Sequence, residues 1–405
     1  MSRWLSLVGI GEDGLDGLSP AARARVETAE VLVGGERHLA FVPPSAAARM
    51  VWAKPCHESF AAIGKLRGRR VVVLASGEPL WFGVGAKLAK LFGPAEIEIH
   101  PHVGAFSLAA ARLAWPMERC AFVSIHGRDL DTLARHLHPR AKLLILSADS
   151  RSPGAVADFL SARGFGASAL TVFERMGGPR EKRLDGVAEA WPHAPGDDLN
   201  LVAVDCVAGP DARWLPTVGG LPDEVFEHDG QLTKREARAL TLAHLAPFPG
   251  ALLWDVGAGN GSIGIEWMRA FPRARAFAIE RDAERAGRIA VNARALGVPE
   301  LAIVAGEAPA ALAGLPAPDA VFVGGGLSNP ALIETCWEAL RAGGVFAANA
   351  VTLEGESALA DLHKRWGGET ARLAVGRAEK VGPYRGWRPS MQVTCFRTVK
   401  PWSRP

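Results

Sequence analysis

Asp255, Gly257, Gly259 and Gly261, followed one βα unit later by Glu280, are the residues whose types and spacing point most directly to chemistry. They stand in Asp255-Val-Gly257-Ala258-Gly259-Asn260-Gly261-Ser-Ile-Gly264, which follows an apolar strand and opens a helix. Glycines let a backbone turn tightly and lie against a ligand, and the N-terminus of the next helix offers unpaired N–H groups. Glu280 ends the following strand, where a carboxylate can accept hydrogen bonds from ribose hydroxyls. Two cofactors fit. Gly259-x-Gly261-x-x-Gly264 suits a dinucleotide, and Asp255 ahead of Gly257-x-Gly259-x-Gly261 suits S-adenosylmethionine. The plainer reading, glycines that merely let a helix pack close to a strand, does not explain the placed acid.

Later features favour S-adenosylmethionine. Ala305-Gly306-Glu307-Ala308-Pro309 resembles the turn that frames adenine in methyltransferases of this type, which implies cofactor contacts at Glu307 and Ala308. The domain is also too short for a second mononucleotide-binding half. After the fourth strand stands Val323-Gly324-Gly325-Gly326-Leu327-Ser328-Asn329-Pro330, with no acid or amide ahead of a proline pair. That speaks against methylation of nucleic-acid bases and for a bulky substrate lying on bare backbone at Gly324 and Gly325; a ligand-free tight turn would look the same. A two-domain NAD(P)-dependent oxidoreductase and a nucleic-acid methyltransferase remain the alternatives.

In the N-terminal half, Val8-Gly9-Ile10-Gly11 follows the first strand, but no acid ends the next one, where Val33-Gly34-Gly35 stands. A second loop, Ala75-Ser76-Gly77-Glu78-Pro79-Leu80, follows Val71–Leu74, and His102-Val103-Gly104-Ala105-Phe106-Ser107 leads into a helix. These segments resemble the tetrapyrrole methylase family, in which a Gly-Asp-Pro loop and a Pro-Gly-x-Ser-Ser segment hold a folded cofactor between two α/β lobes. Here Glu78 replaces the Asp and Val103 the Pro. The resemblance implies S-adenosylmethionine contacts at Gly77, Glu78, Pro79 and Ser107.

Ser124-Ile-His126-Gly-Arg128-Asp129 and Phe173-Glu-Arg175-Met-Gly-Gly-Pro-Arg180 extend the resemblance to the branch that methylates C-5 of precorrin-6B. From Phe226-Glu-His228-Asp-Gly230-Gln-Leu-Thr233-Lys234 onward, the chain resembles the partner subunit that methylates C-15 and removes the C-12 acetate carboxyl, which implies Thr233 as a further cofactor contact. Together the halves imply two S-adenosylmethionine sites and conversion of precorrin-6B to precorrin-8X in cobalamin biosynthesis.

Methyl transfer from a sulfonium needs no metal, and the electron-rich meso carbons of a reduced tetrapyrrole need little activation. The protein must chiefly align carbon, methyl and sulfur. The substrate's carboxylates call for guanidinium forks. Candidates are Arg175, Arg180 and Arg183 in the first half and Arg377, Lys380 and Arg385 in the second, each of which could equally be solvated surface. His228 and His126 are the candidate proton handlers, and no side chain is assigned as a catalytic acid or base.

These residues need α/β layers to position them. At 405 residues, with 48% hydrophobic and 22% charged, the chain reads as two folded domains. Strands are expected at 5–8, 31–33, 70–74, 97–99, 122–125, 143–146, 169–173 and 200–204, with helices between them, among them one N-capped by Ser19 with Pro20 at its first position. The stretch 208–230 is rich in Gly and Pro without periodicity and reads as a linker. A helix at 233–245 then opens a run of βα units with strands at 252–256, 276–279, 302–304, 320–323, 345–350, 371–375 and 391–396. The expected architecture is a two-lobed tetrapyrrole methylase fold over 1–207 and a doubly wound, Rossmann-like class I methyltransferase domain over 231–405.

The totals bound the setting. No apolar run reaches the roughly 18 residues of a spanning helix, and no secretory signal is visible. A cytoplasmic protein is expected, acting on an anionic tetrapyrrole, with no membrane or nucleic-acid partner and assembling as a homo-oligomer. A net charge of +3 shows no dense basic stripe. The five cysteines (Cys56, Cys120, Cys206, Cys336 and Cys395) are scattered and read as buried apolar residues, with neither a disulfide frame nor a metal site.

Overall fold

Strand β1 (Leu5–Ile10) is buried along its whole length, as is β2 (Val31–Gly34). The computed structural model describes residues 3–402 and places these strands in a parallel sheet with β3 (Ala48–Val51), β4 (Val71–Ser76) and β5 (Ile97–His100), in the order β3-β2-β4-β1-β5. Residues 1–2 and 403–405 of the expected domain ranges lie outside the described residues. Continuous apolar strands are what a sheet covered on both faces requires. Alternate residues separate the faces: Leu5, Leu7, Val71 and Val73 pack with Ile63 and Leu88, while Val8, Ile10, Val72 and Leu74 pack with Ala22, Val26 and Leu39. The helix Pro20–Glu27 begins as expected, Ser19 Oγ accepting from Ala22 N at 3.3 Å.

A second sheet completes this unit: β6 (Cys120–Ser124), β7 (Lys142–Leu146), β8 (Ala169–Glu174), β9 (Lys182–Val187) and β10 (Asn200–Asp205), in the order β6-β7-β10-β8-β9. Only β6 and β7 run parallel. The unit comprises Met1–Arg128 and His138–Arg213.

The other unit comprises Asp129–Leu137 and Trp214–Pro405. Its strands are β11 (Leu252–Val256), β12 (Arg275–Glu280), β13 (Ala302–Ala305), β14 (Ala320–Val323), β15 (Val345–Ala350), β16 (Glu369–Leu373), β17 (Gly376–Val381), β18 (Tyr384–Pro389) and β19 (Val393–Val399). The sheet order is β13-β12-β11-β14-β15-β19-β16, parallel through β15 and antiparallel beyond, with β17 and β18 in a separate hairpin. This is the doubly wound α/β arrangement. Strand order reverses between β11 and β14, the crevice in which such sheets bind ligands.

Several expectations change. The stretch 208–230 is not a free linker along its length: Leu221 and Phe226 sit in the core of the second unit, and buried Glu266 accepts from the backbone of Gly220 (2.6 Å) and Leu221 (3.0 Å). Buried Arg238 joins Glu266 (2.8 Å) to Asp223 (2.7 Å), anchoring the segment further. Strands β3, β9, β17 and β18 were not expected; each is polar or largely exposed and lacks the apolar run that reveals a strand. Of the cysteines, only Cys206, Cys336 and Cys395 are buried, while Cys56 is exposed and Cys120 half-buried. Among the described residues no helix is long and apolar enough to cross a membrane.

Candidate functional site

In the second unit, the carboxyl ends of β11, β12 and β14 and the segment 230–234 line a cavity of about 940 Å³. Gly257 shapes its floor. Its φ is +69°, and an added Cβ would stand 2.9 Å from Gly325 N, so the loops after β11 and β14 touch backbone to backbone. Glu280 reaches the cavity from the end of β12, accepting from Gly259 N at 2.7 Å and Asp282 N at 3.0 Å. Each carboxylate oxygen keeps lone pairs for a further donor.

Asp255 is the buried acid of the site. One oxygen accepts from Gly264 N at 2.8 Å, and the other has no partner among the described residues. Burial pushes its carboxyl up to about 7, against the Gly264 N–H bond and with a further rise from the charge of Glu280. Asn260 also lines the cavity. Its side-chain nitrogen donates to Gln231 O (2.9 Å) and Asp229 (3.1 Å), and its buried side-chain oxygen Oδ1 is unpartnered. Ribose hydroxyls and an ammonium group supply donors of the kind these oxygens lack, so the residues fit S-adenosylmethionine.

Of the residues expected here, Thr233, Gly257, Ala258, Gly259, Asn260, Glu280, Glu307, Ala308, Gly324, Gly325 and Arg377 line the one cavity. Gly261 does not; an added Cβ there would meet Ile289 at 2.9 Å, so its smallness serves helix packing. Arg377 is ion-paired with Glu236 at 2.8 Å. His228 stands outside the cavity, its Nδ1 accepting from Gly230 N at 3.0 Å. Lys380 and Arg385 stand opposite each other in register on the exposed hairpin.

Sequence reasoning missed the residues that hold the segment 227–231 over the glycine loop. Asn292, buried beside Ile289 and Ala293 on the helix Ala283–Ala295, accepts from Glu227 N (2.7 Å) and donates to Glu227 O (2.9 Å) and Asn260 O (3.0 Å). Asp229 takes Arg285 Nε at 2.8 Å, and the Asn260 and Arg285 donors hold its carboxyl well below the ordinary carboxylate range. A buried amide in mid-helix was the available signal. Asn349 and Met391, from two further segments, also line the cavity.

In the first unit, three loops meet at the carboxyl ends of β1, β4 and β5. Gly77, at φ +54°, donates to Ile10 O (3.1 Å) and accepts from His102 N (3.2 Å), and an added Cβ would stand 2.8 Å from Gly104 Cα. Glu78 accepts from Leu80 N at 3.1 Å and Pro79 is buried. Ser107 contacts Met117 Sδ at 3.7 Å. His126 is exposed.

Arg175 is not a free fork. It is ion-paired with Asp197 and, at 3.1 Å, with Glu12, which also pairs with Arg37. This chain of charges joins the two lobes of the unit. Arg180 is exposed, 4.0 Å from Glu12, and Arg183 pairs with Asp185 at 2.9 Å. His38, unremarked in the sequence, lies 3.0 Å from Ser76 Oγ; burial, reinforced by Arg37, lowers its imidazole to about 4.

Comparison with known proteins agrees with this division. The Tetrapyrrole (Corrin/Porphyrin) Methylases family matches residues 5–191, and the Precorrin methyltransferase domain family matches residues 224–400. A precorrin-6Y C(5,15)-methyltransferase (decarboxylating) of Sinorhizobium sp is 47% identical, over 99% of this chain and 97% of its own. A cobalt-precorrin-7 C(5)-methyltransferase of Salmonella typhimurium is 31% identical, over 44% of this chain and 88% of its own. A probable cobalt-precorrin-6B C(15)-methyltransferase (decarboxylating) of Pyrobaculum calidifontis is 35% identical, over 42% of this chain and 91% of its own. Because the first relative spans nearly the whole chain, the chain belongs to the family of decarboxylating precorrin-6Y C(5,15)-methyltransferases.

Proposed function

We propose that the chain methylates a precorrin at C-5 and C-15 and removes one acetate carboxyl, the first unit serving C-5 and the second serving C-15 and the decarboxylation. The substrate is precorrin-6Y in the relative's name and precorrin-6B by the sequence resemblance, and the product by that resemblance is precorrin-8X. One observation carries the division: each unit has its own glycine-loop system at the carboxyl ends of a parallel sheet. Separate relatives named for C(5) and C(15) chemistry, each matching under half of the chain, support it.

S-adenosylmethionine supplies an electrophilic methyl group when bound. The chain's own residues bind, orient and exclude water. Glu280 accepts ribose hydroxyls, Asp255 and Asn260 face donors with their unpartnered oxygens, and Gly324 to Gly326 leave bare backbone for the substrate. Phe322, Leu332, Val351 and Met391 give the cavity an apolar wall. Each meso carbon gains a methyl and loses its hydrogen as a proton. In the decarboxylation the acetate carbon–carbon bond breaks, its electron pair passes into the conjugated, protonated macrocycle, and a proton replaces the carbon dioxide. An apolar wall favours loss of the carboxylate charge.

A cytoplasmic setting and a homo-oligomeric state belong to the same proposal; unpaired cysteines suit a reducing compartment, and sedimentation reads the assembly. Titration calorimetry on the full chain tests the site count, with two cofactor molecules per chain expected. A single molecule per chain contradicts the two-site reading.

A further inference from the structure

We propose that Trp81, Phe82 and Arg128 form a ledge that receives the flat apolar face and one carboxylate of the macrocyclic substrate in the first unit. The inference rests on the reading that this unit methylates a carboxylate-bearing tetrapyrrole.

The loop from β4 to the helix Gly85–Phe92 has a fixed path. Trp81 N donates to Glu78 O at 3.1 Å, and a Cβ added at Gly83 or Gly85 would lie 2.5 Å from Pro79 O. Phe82 has φ +55°, the left-handed region that bulky residues rarely occupy. Backbone strain of this kind persists where the surrounding structure enforces it, and it gathers at functional sites.

That path turns large apolar rings into water. Trp81 is 52% exposed and Phe82 44%. The rings are nonetheless braced: Trp81 stands edge-on to Phe122 (5.7 Å) and Phe82 to Phe106 (5.9 Å), while Phe106 and Phe122 meet at 5.1 Å below them. Exposed aromatics braced on buried Phe106 and half-buried Phe122 form a ready surface for a flat partner.

Arg128 supplies the charge. Its guanidinium carbon lies 4.8 Å from the Phe82 ring centre, and among the described residues no carboxylate pairs with it. By contrast Arg112, Arg175 and Arg183 all have carboxylate partners. A cation with free donors beside a rigid aromatic surface selects a planar, anionic ligand and disfavours the cationic cofactor. The ledge is also hydrogen-bonded directly to the Glu78 loop, which the proposed function gives to the methyl donor.

The test uses the full chain and steady-state C-5 methylation, with C-15 methylation as an internal control. Arg128→Gln should raise the KM for the precorrin at least about tenfold, the loss expected for a charged hydrogen bond, with kcat and the KM for S-adenosylmethionine moving far less. Arg128→Lys should recover part of the loss. Trp81→Leu should raise the precorrin KM, and equilibrium binding of precorrin, read by quenching of tryptophan fluorescence, should weaken in parallel. A raised cofactor KM with an unchanged precorrin KM would show that the ledge holds the cofactor, and unchanged values throughout would show that it holds neither; either result overturns the proposal. Failure of the underlying reading looks different: wild-type protein would then lack C-5 methylation while still binding precorrin.

Discussion

Glu280 accepts a hydrogen bond from the backbone N–H of Gly259 at 2.7 Å, so the acid ending β12 is tied to the glycine loop that follows β11. The acid and the glycine loop are thereby one rigid piece, which the proposed function gives to the ribose of the methyl donor.

Glu280→Ala should weaken S-adenosylmethionine binding in the second unit by about 1.5–3 kcal/mol, the range for hydrogen bonds to a charged group. The affinity of the first site should not change. Titration calorimetry on the full chain resolves the two sites, and an unchanged pair of affinities counts against Glu280 as the ribose acceptor.

Asp255 makes stability depend on pH with a definite sign. Its carboxyl is raised in the folded state from the ordinary 3.8 to about 7. The folded protein therefore holds a proton that the unfolded chain releases, and this contribution to stability is lost as pH rises from about 3.8 to about 7. Asp255→Asn has no such proton to lose. Without cofactor, the variant's melting temperature relative to wild type should be higher at about pH 8 than at about pH 5. A constant difference would place the charged form of Asp255 comfortably in the fold.

Asn292→Leu removes three hydrogen bonds at once and leaves the Glu227 backbone unpaired. Stranding buried polar groups costs about 1–3 kcal/mol each. Denaturant titration should show the second unit destabilised, and limited proteolysis should cut first within 226–234.

Arg175→Ala separates a structural arginine from a substrate-binding one. The change leaves Asp197 without its guanidinium, while Glu12 keeps Arg37 and, at 4.0 Å, Arg180. It should destabilise the first unit by about 1.5–3 kcal/mol, the range for hydrogen bonds between charged groups, here half-buried. Arg180→Ala, at a 69% exposed side chain, should stay within about 0.5 kcal/mol. If Arg175→Ala melts like wild type and only the precorrin KM rises, Arg175 is the carboxylate fork after all.

What could be read from the sequence follows from range. The β11–loop–β12 constellation is local: Asp255, Gly257 and Gly259 share one turn and Glu280 ends the next strand, so apolar periodicity and glycine spacing reveal them together. The ion pairs of Arg175 are not legible because Glu12 lies at the far end of the unit's chain and Asp197 in a separate loop, and pairs of such range leave no spacing pattern. The stretch 208–230 was misread because its Gly and Pro content hides two isolated anchors, Leu221 and Phe226. Strand β9 alternates exposed and half-buried residues on a sheet edge, and the β17–β18 hairpin buries almost nothing. Without a core to face, neither carries the apolar pattern by which strands are found.

The division of labour between the units is the central claim, and the mass of the product tests it most directly. Gly259 lines the cavity, and a Cβ added there meets nothing nearer than Gln231 O at 3.9 Å, so at the cost of strain at φ +59° Gly259→Arg places its side chain at the cavity. Wild-type protein given precorrin and S-adenosylmethionine should add two methyl groups and release one carbon dioxide. The Gly259→Arg variant should add only the C-5 methyl, provided the first unit accepts unprocessed precorrin; adding the substrate already methylated at C-15 and decarboxylated removes that proviso. Mass spectrometry of the product, with the methyl position assigned by carbon NMR, reads the outcome. A Gly259→Arg protein that still methylates C-15, or one that loses C-5 methylation on the C-15-methylated substrate, contradicts the account.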